Sequence, residues 1–511
     1  MKKQIKRLFY IILLGILSLP AITLAQRGKT EIITDKAQLA KLKAAVEASP
    51  DSLSAHQAYT KAVGIEGPEL EAQYAIWMEK FPKSAMVPYA IAKAYLNEES
   101  PKAKPYLLKA VAIDPKFTEA WAGLWSDAER WGDFAAASNY LAKAAESDPS
   151  NPTYVFYYAS SFKNKDEAKW QEMSVEVARR FPDHERGAQA LYWLGVRSKK
   201  NADKLKYFEL LKKTFAPEKF SWSSAGMSSY FNLLLSEDPQ KAVGLAQEMA
   251  KNEKEEKKQW PDLVLQAQTI AKARILLDQK KGGEALAVLN QLKLPKRSRF
   301  KTQLAQLKAQ ANDISGNTGA AYDSLIVIFT KTPEVALKAT IAGYGRKLGK
   351  NESEVDADIW KRLDAVSKIA TPFTLKQYLE PGDKSLADYK GKIVLLTYWF
   401  PGCGPCRAEF PHFENVLKKF KGKDLAYVGI NVVSSQNDYV VPFMKSSGYS
   451  FTPLEDVKGR QKGNLDNGSM APVNFLIDQE GRLIFSNFNT DGENEDDLEL
   501  MISLLLNKTR V

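Results

Sequence analysis

Residues 398–411 read YWFPGCGPCRAEFP, and Cys403 and Cys406 in that stretch are the only cysteines among 511 residues. On one side, KIVLLTYWF (392–400) is a β-branched, aromatic run of strand length, apolar almost throughout. Such a run predicts a central strand buried on both faces. On the other side, RAEFPHFENVLKKFKGK (407–423) has the spacing of an amphipathic helix ended by Gly422. The cysteines thus stand at a strand-to-helix junction. Cys403 opens the helix, where unpaired amide N–H groups and the helix dipole favour a thiolate. That setting lowers a thiol pKa from about 8.5 toward about 7 or below. Cys406, one turn further in, is within reach for a redox-active disulfide but more enclosed. The pattern suits an exchange in which Cys403 attacks a substrate disulfide and Cys406 resolves the mixed disulfide. Gly404 allows close approach, and Pro405 in the first helical turn forfeits no hydrogen bond.

Other uses of two cysteines fit less well. A bridge across three residues closes almost no loop, so it constrains the unfolded chain little. Structural zinc needs about four ligands, and one CxxC with three scattered histidines cannot readily supply them. Covalent haem attachment requires CxxCH, and residue 407 is Arg. No metal or other cofactor is called for.

Further along, DLAYVGINVV (424–433) predicts a second buried strand. PVNFLIDQEGRLIFSNF (472–488) reads as two strands joined at QEG, and LELMISLLLNK (498–508) as a closing helix. Upstream, TPFTLKQYLEPGDKSLADYKGK (371–392) carries a polar turn at Pro381-Gly382. Together these elements describe an α/β domain.

The region before it is of another kind. Residues 40–350 are rich in Ala, Lys, Leu and Glu, and Pro50, Pro82, Pro115, Pro149, Pro182 and Pro217 recur at intervals of 32, 33, 34, 33 and 35 residues. In TEAWAGLWSDAERWGDFAAASNYLAKAAESDP (118–149), Trp121, Leu124, Ala137, Leu141, Ala144 and Pro149 stand where such a repeat expects large, small and terminating residues. Small Ala137 and Ala144 let paired helices approach, Trp121 and Leu124 fill the groove, and Gly132-Asp133 makes the turn. A proline-closed period near 34 is that of stacked helical hairpins, and this region resembles the tetratricopeptide family. The match loosens after residue 183, where Pro261, Pro295 and Pro333 keep only an approximate period. Its Trp and Tyr residues read mainly as packing, although YVFYYAS (154–160) could line a concave face. Such arrays usually hold a protein partner. His56 and His184 lie in it with no second ligand nearby in sequence.

The extreme N-terminus has a third character. MKKQIKR, then LFYIILLGILSL (8–19), then PAITLA up to Ala25, is the pattern of a secretory signal. Twelve apolar residues fall short of the about 20 that span a bilayer; retention as an anchor is the competing reading. No later stretch reads as a membrane span, so the mature chain is expected in the periplasm or cell envelope. The net charge of +11 divides into about +12 before residue 368 and about −1 after it. The excess is thinly spread, and in KNEKEEKKQ (251–259) acids alternate with bases. That is a solvated face rather than a nucleic-acid site.

Residues 371–511 resemble the thioredoxin superfamily, and within it the exported TlpA/ResA-type thiol–disulfide oxidoreductases. The resemblance rests on the order PFTL, SLADYKGKIVLLTYWF, CGPCRAEFP and GSMAPVNFLIDQEGRLIF. It implies that Cys403 attacks and Cys406 resolves, and that Pro472 is the cis-proline whose preceding Ala471 presents its backbone to substrate. It implies too that Pro411 bends the active-site helix. There are departures. The residue before the first cysteine is Gly402, not Trp, and Trp399 matches a deeper Trp. Thr397 stands where cytosolic thioredoxins bury an Asp, and Val473 follows the proline in place of Thr. Proton transfer then needs water or another acid; Glu409 is a candidate, against a place on the helix surface. His412 reads as a surface residue.

The expected architecture is therefore multidomain: an α-helical tetratricopeptide-like solenoid followed by a C-terminal α/β thioredoxin-like domain. The expected limits are a signal peptide (1–25), a linker (26–39), the repeats (40–350), an interdomain linker (351–370) and the thioredoxin-like domain (371–511). The expected function is reduction of disulfides in envelope client proteins, with electrons from an envelope or membrane donor and the array as partner-binding module. The alternative is a non-catalytic scaffold in which the array does the work. A peroxiredoxin shares the fold, but FPGCGPC lacks the Pro and Thr/Ser frame around a lone cysteine.

Overall fold

The computed structural model describes residues 35–251, 259–294 and 300–508. The expected signal peptide, most of the linker after it, the interior of the KNEKEEKKQ run and Pro295 lie outside the described residues. The chain divides between Pro115 and Lys116 into two units.

In the first unit the described residues form α1 (Lys36–Ala48), α2 (Leu53–Val63), α3 (Pro68–Lys80), α4 (Met86–Asn97) and α5 (Ala103–Ile113). Local chemistry sets their ends. Asp35 and Ser52 cap α1 and α2 by accepting from Ala37 N–H and Ala55 N–H, and Pro68 opens α3 where its missing N–H costs nothing. Pro50 and Pro82 fall in the connections.

The second unit begins with a longer run of helices. They are α6 (Thr118–Arg130), α7 (Phe134–Ser147), α8 (Pro152–Ser160), α9 (Glu167–Arg180), α10 (Glu185–Arg197), α11 (Asn201–Thr214) and α12 (Ser221–Glu237). Next come α13 (Pro239–Lys251), α14 (Trp260–Asp278), α15 (Gly282–Asn290), α16 (Lys301–Ile314), α17 (Thr318–Phe329), α18 (Val335–Lys347) and α19 (Glu352–Val366). Neighbours in sequence pack on each other, and α10 also touches α8 and α12. The α6–α7 hairpin turns at Gly132, whose φ of +71° an L side chain rarely adopts, and Asp133 caps α7 through Ala136 N–H. Leu124, Ala137, Leu141 and Ala144 are buried between the helices, as the repeat pattern requires, while Trp121 is half-buried and stacked on Tyr140. His184 caps α10 by accepting from Arg186 N–H.

After α19 the chain enters a mixed sheet. Its strands are β1 (Lys368–Ile369), β4 (Ile393–Trp399), β5 (Leu425–Asn431), β6 (Thr452–Glu455), β7 (Val473–Ile477) and β8 (Arg482–Phe488), in the order β1-β8-β7-β4-β5-β6. A separate hairpin pairs β2 (Thr374–Lys376) with β3 (Asp383–Ser385). β4 is parallel to β5 and antiparallel to β7, so it lies inside the sheet, and all seven of its residues are buried. Helices α20 (Gly404–Lys419), α21 (Asn437–Ser447) and α22 (Glu495–Leu506) complete the domain. The sequence reading did not identify α21 or β6.

Most of the expected interdomain linker 351–370 is α19. Asn351 and Glu354 form a reciprocal capping box at its start, and Val355, Ile359, Trp360 and Leu363 are buried. These side chains belong to one apolar cluster that also contains Leu325, Phe329, Ile393, Trp399, Phe410 and Ile502. The last array helices and the sheet therefore share a core. Burying each such large side chain is worth roughly 1.5–3 kcal/mol.

Candidate active site at the Cys403–Cys406 disulfide

β4 runs out at Trp399, and four residues later Cys403 caps α20. Cys406 N–H donates to Cys403 Sγ at 3.2 Å, and the two sulfurs are joined in a disulfide with Cα atoms 5.3 Å apart. Pro405 lies in the first turn of α20. A side chain at Gly404 would meet open space. Gly402 differs: its N–H donates to Gln436 Oε1 at 2.6 Å, and an added Cβ would come within 2.9 Å of that amide. Gln436 thus occupies the room that a Trp before the first cysteine would need. Both cysteines are enclosed, Cys403 at 2% exposure and Cys406 at 0%. The Ala471–Pro472 peptide is cis. Because Val473 pairs with Tyr398, continuing the register brings Pro472 and Ala471 alongside the end of β4 that leads to Cys403. Met470, just before them, is 58% exposed.

Polar side chains are buried near the disulfide, among them Thr397, Glu409 and Asn474. The buried stripe of α20 is Cys406, Glu409, Phe410, Phe413 and Val416, a helical spacing that turns Glu409 inward with Cys406. The surface alternative for Glu409 is thus incorrect; its exposure is 6%. Its carboxylate accepts from Asn474 Nδ2 at 3.0 Å, Asn489 Nδ2 at 2.8 Å and Thr490 N–H at 3.1 Å. Burial pushes its pKa up against those donors, and the nearby Asp491 charge adds to the rise. Thr397 stands opposite Asn474 across the β4–β7 pair. Thr397 Oγ1 and Asn474 Oδ1 are buried without a hydrogen-bond partner among the described residues. Trp399 is also fully buried, packed on Phe410, Phe443 and Phe451 with centroids 5.7, 5.0 and 4.9 Å away, so it supports the site from below. His412 is not a free surface residue either, since its Nδ1 hydrogen-bonds Glu495 at 2.6 Å.

The helical array reaches this segment from two directions. Arg407, next to Cys406, donates to the Pro401 carbonyl at 2.9 Å and to Glu129 of α6 at 2.6 Å. Beside it, Tyr439 donates to Asp127 at 2.9 Å, and Phe134 packs edge-on against Phe443. The α6–α7 turn approaches so closely that a Cβ at Gly132 would lie 2.8 Å from the Phe443 carbonyl. On the other flank, Arg197 of α10 pairs with Asp491 at 2.6 Å and Lys204 of α11 with Glu493 at 3.4 Å. None of these long-range partners, nor Gln436, could be found from local spacing. Glu409, already a candidate from the sequence, sits on a buried stripe that local spacing does record. Among the described residues no group of three or more His, Cys, Asp or Glu could hold a metal ion.

Comparison with known proteins finds matches in the C-terminal part of the chain. The AhpC/TSA family model matches residues 366–486. The thiol-disulfide oxidoreductase ResA of Bacillus subtilis is 39% identical over 99 residues, 19% of this chain and 54% of that protein. ResA of Geobacillus kaustophilus is 30% identical over 123 residues, 24% of this chain and 69% of that protein. Against the crystal structure of the thioredoxin domain of a thiol-disulfide oxidoreductase from Bacteroides vulgatus, identity is 24% and the TM-score 0.24, with 27% of this chain and 96% of that one covered. The chain spans 54% and 65% of the first two curated relatives that it matches. Through its C-terminal thioredoxin-like domain, this chain belongs to the ResA family of thiol-disulfide oxidoreductases.

Proposed function

We propose that this protein is an exported thiol–disulfide oxidoreductase that reduces disulfides of client proteins in the cell envelope. The observation that carries the reading is the Cys403–Cys406 disulfide at the N-terminus of α20 with the Glu409 carboxyl one turn below. In the reduced protein, the Cys403 thiolate, favoured by the helix N-terminus, attacks one sulfur of a client disulfide and expels the other as a thiolate. Cys406 gives its proton to Glu409, whose raised pKa suits it to hold one, and then attacks Cys403 Sγ. The second client thiolate leaves. Two electrons have passed to the client, and the Cys403–Cys406 pair is oxidised. A membrane or envelope donor restores the dithiol. Ala471 and Pro472 offer the edge beside which the client backbone lies, and Trp399, Gly404 and Pro405 shape and support the pair.

Residues 371–511 carry the chemistry in this reading. Residues 40–350, a tetratricopeptide-like array, bind the client or another protein partner. A pair of cysteines three residues apart favours disulfide exchange over the lone-cysteine chemistry of peroxide reduction. Export rests on the apolar run at 8–19. Among the described residues no helix is long and apolar enough to cross a membrane. The deciding experiment equilibrates the purified protein in thiol/disulfide buffers. A reduction potential near or below about −230 mV supports a reductase, one near about −120 mV reverses the direction of electron flow, and a pair that does not cycle overturns the reading.

A further inference from the structure

Two of the three donors that hold Glu409, the Asn489 amide and the Thr490 N–H, come from residues directly preceding Asp491. The segment 489–494 is braced within itself. Asp491 N–H donates to Asn494 Oδ1 at 2.6 Å, Glu493 N–H to Asp491 Oδ1 at 3.0 Å, and Asn494 Nδ2 to the Asn489 carbonyl at 2.8 Å. Besides its bonds to Glu409, the braced segment is anchored by cations of the array. Arg197 Nη1 donates to Asp491 Oδ2 at 2.6 Å, and Lys204 Nζ reaches Glu493 at 3.4 Å, each joining parts of the chain nearly 300 residues apart. Lys163, after α8, lies in the same field of Arg197, Asp491 and Glu493.

The anchor bears on the carboxylate in two ways with the same sign. Arg197 neutralises Asp491, the charge that otherwise disfavours ionisation of Glu409. It also keeps in register the segment whose two donors favour the ionised form. A cation lost beside Asp491 and two loosened donors would both raise the Glu409 pKa. The titratable groups facing Glu409 are Asp491 from this segment, Cys406 from its own helix once the pair is reduced, and Tyr427 from β5; the donors Asn474 and Asn489 are neutral.

We propose that Arg197, assisted by Lys204, is a positioning residue for the Glu409 carboxylate, so that the helical array is a working part of the thiol site. This rests on the proposed proton-accepting role of Glu409. It goes beyond partner recruitment, because the array then governs the thiols with no client present.

The test uses the full-length protein, reduced, and follows alkylation of its thiols by iodoacetamide as a function of pH. The contribution of Glu409 is the part of the profile that Glu409→Gln removes. Arg197→Ala is expected to move that part upward by about one pH unit. Arg197→Lys, which keeps the cation, should leave it near the wild-type position. In a Glu409→Gln background, Arg197→Ala should shift nothing. An unmoved profile in Arg197→Ala, an equal shift in both backgrounds, or a wild-type profile identical to that of Glu409→Gln would each overturn the proposal. Alkylation is read without any client. A protein that shows the coupling yet fails to reduce protein disulfides would sink the proposed function alone.

Discussion

His56 in the first unit and Glu409 in the second are both buried titratable side chains, and their surroundings differ in a telling way. His56 is fully enclosed, its rings flanked by Tyr74 and Trp77 at 5.5 and 5.7 Å. Its Nδ1 bonds the Tyr74 hydroxyl and its Nε2 the Pro50 carbonyl, both at 2.9 Å. Every polar atom of the ring is used, and burial pushes its pKa down, which keeps the ring neutral. Glu409 is held by donors too, but it adjoins Thr397 and Asn474, whose buried oxygens have no partner among the described residues, and it lies one turn from a redox pair. Buried oxygens without a partner call for an explanation, which proton transfer supplies under the proposed function; a saturated network calls for none.

The sharpest way to break this contrast is at the sulfurs. Cys403→Ser should abolish disulfide exchange, while Cys406→Ser should leave clients trapped as mixed disulfides, visible on non-reducing gels of an envelope extract. Capture of nothing by Cys406→Ser would count against client reduction.

Glu409→Gln comes next. Loss of a general base from the resolving step should slow it by about 100-fold near neutral pH, read in single-turnover kinetics. The same group bears on stability. Its folded pKa is raised above the unfolded value, so its favourable contribution is full below the unfolded pKa and is lost as pH rises through the folded one. Glu409→Gln should remove that slope from the pH dependence of the melting temperature.

His56→Ala is expected to do the reverse: no change in exchange kinetics, but a cost of about 2–3 kcal/mol to the first unit from the cavity and the orphaned Tyr74 hydroxyl, measured by denaturant unfolding. Because the folded pKa of His56 is depressed, the native protein binds fewer protons than the unfolded chain. Stability there should fall as pH drops below about 6.5, the ordinary histidine value. His56→Ala should lack this fall.

The smallest effect is expected at Glu129→Gln. Glu129 is 31% exposed and Arg407 keeps the Pro401 carbonyl as a partner, so loss of the ion pair should cost about 1 kcal/mol in thermal unfolding, with exchange altered only slightly.

Much of this was legible in advance, for local reasons. β4, α20 and the β7–β8 hairpin announce themselves because apolar periodicity and turn residues are written into neighbouring positions. The repeat period likewise places Pro115, Pro149, Pro182 and Pro217 in connections between helices. Pro442 inside α21 hides that helix from a reading of local pattern, while Asn351 and Glu354 spell out the capping box that opens α19. Of the site, the cysteines and Pro472 could be named from their motif. Gln436, Glu129, Asp127 and Arg197 could not, because they act from 34 to 312 residues away and nothing in their own neighbourhoods records it.

The apolar cluster that binds α17 and α19 to β4, α20 and α22 has a consequence for heat. With one core between them, these helices and the sheet should melt as a single cooperative step. Calorimetry of the whole protein should then show no early transition belonging to the sheet alone. Proteolytic removal at residue 370 would strip Leu363, Ile359 and Trp360 from their cover, leaving behind a fragment prone to stick to itself.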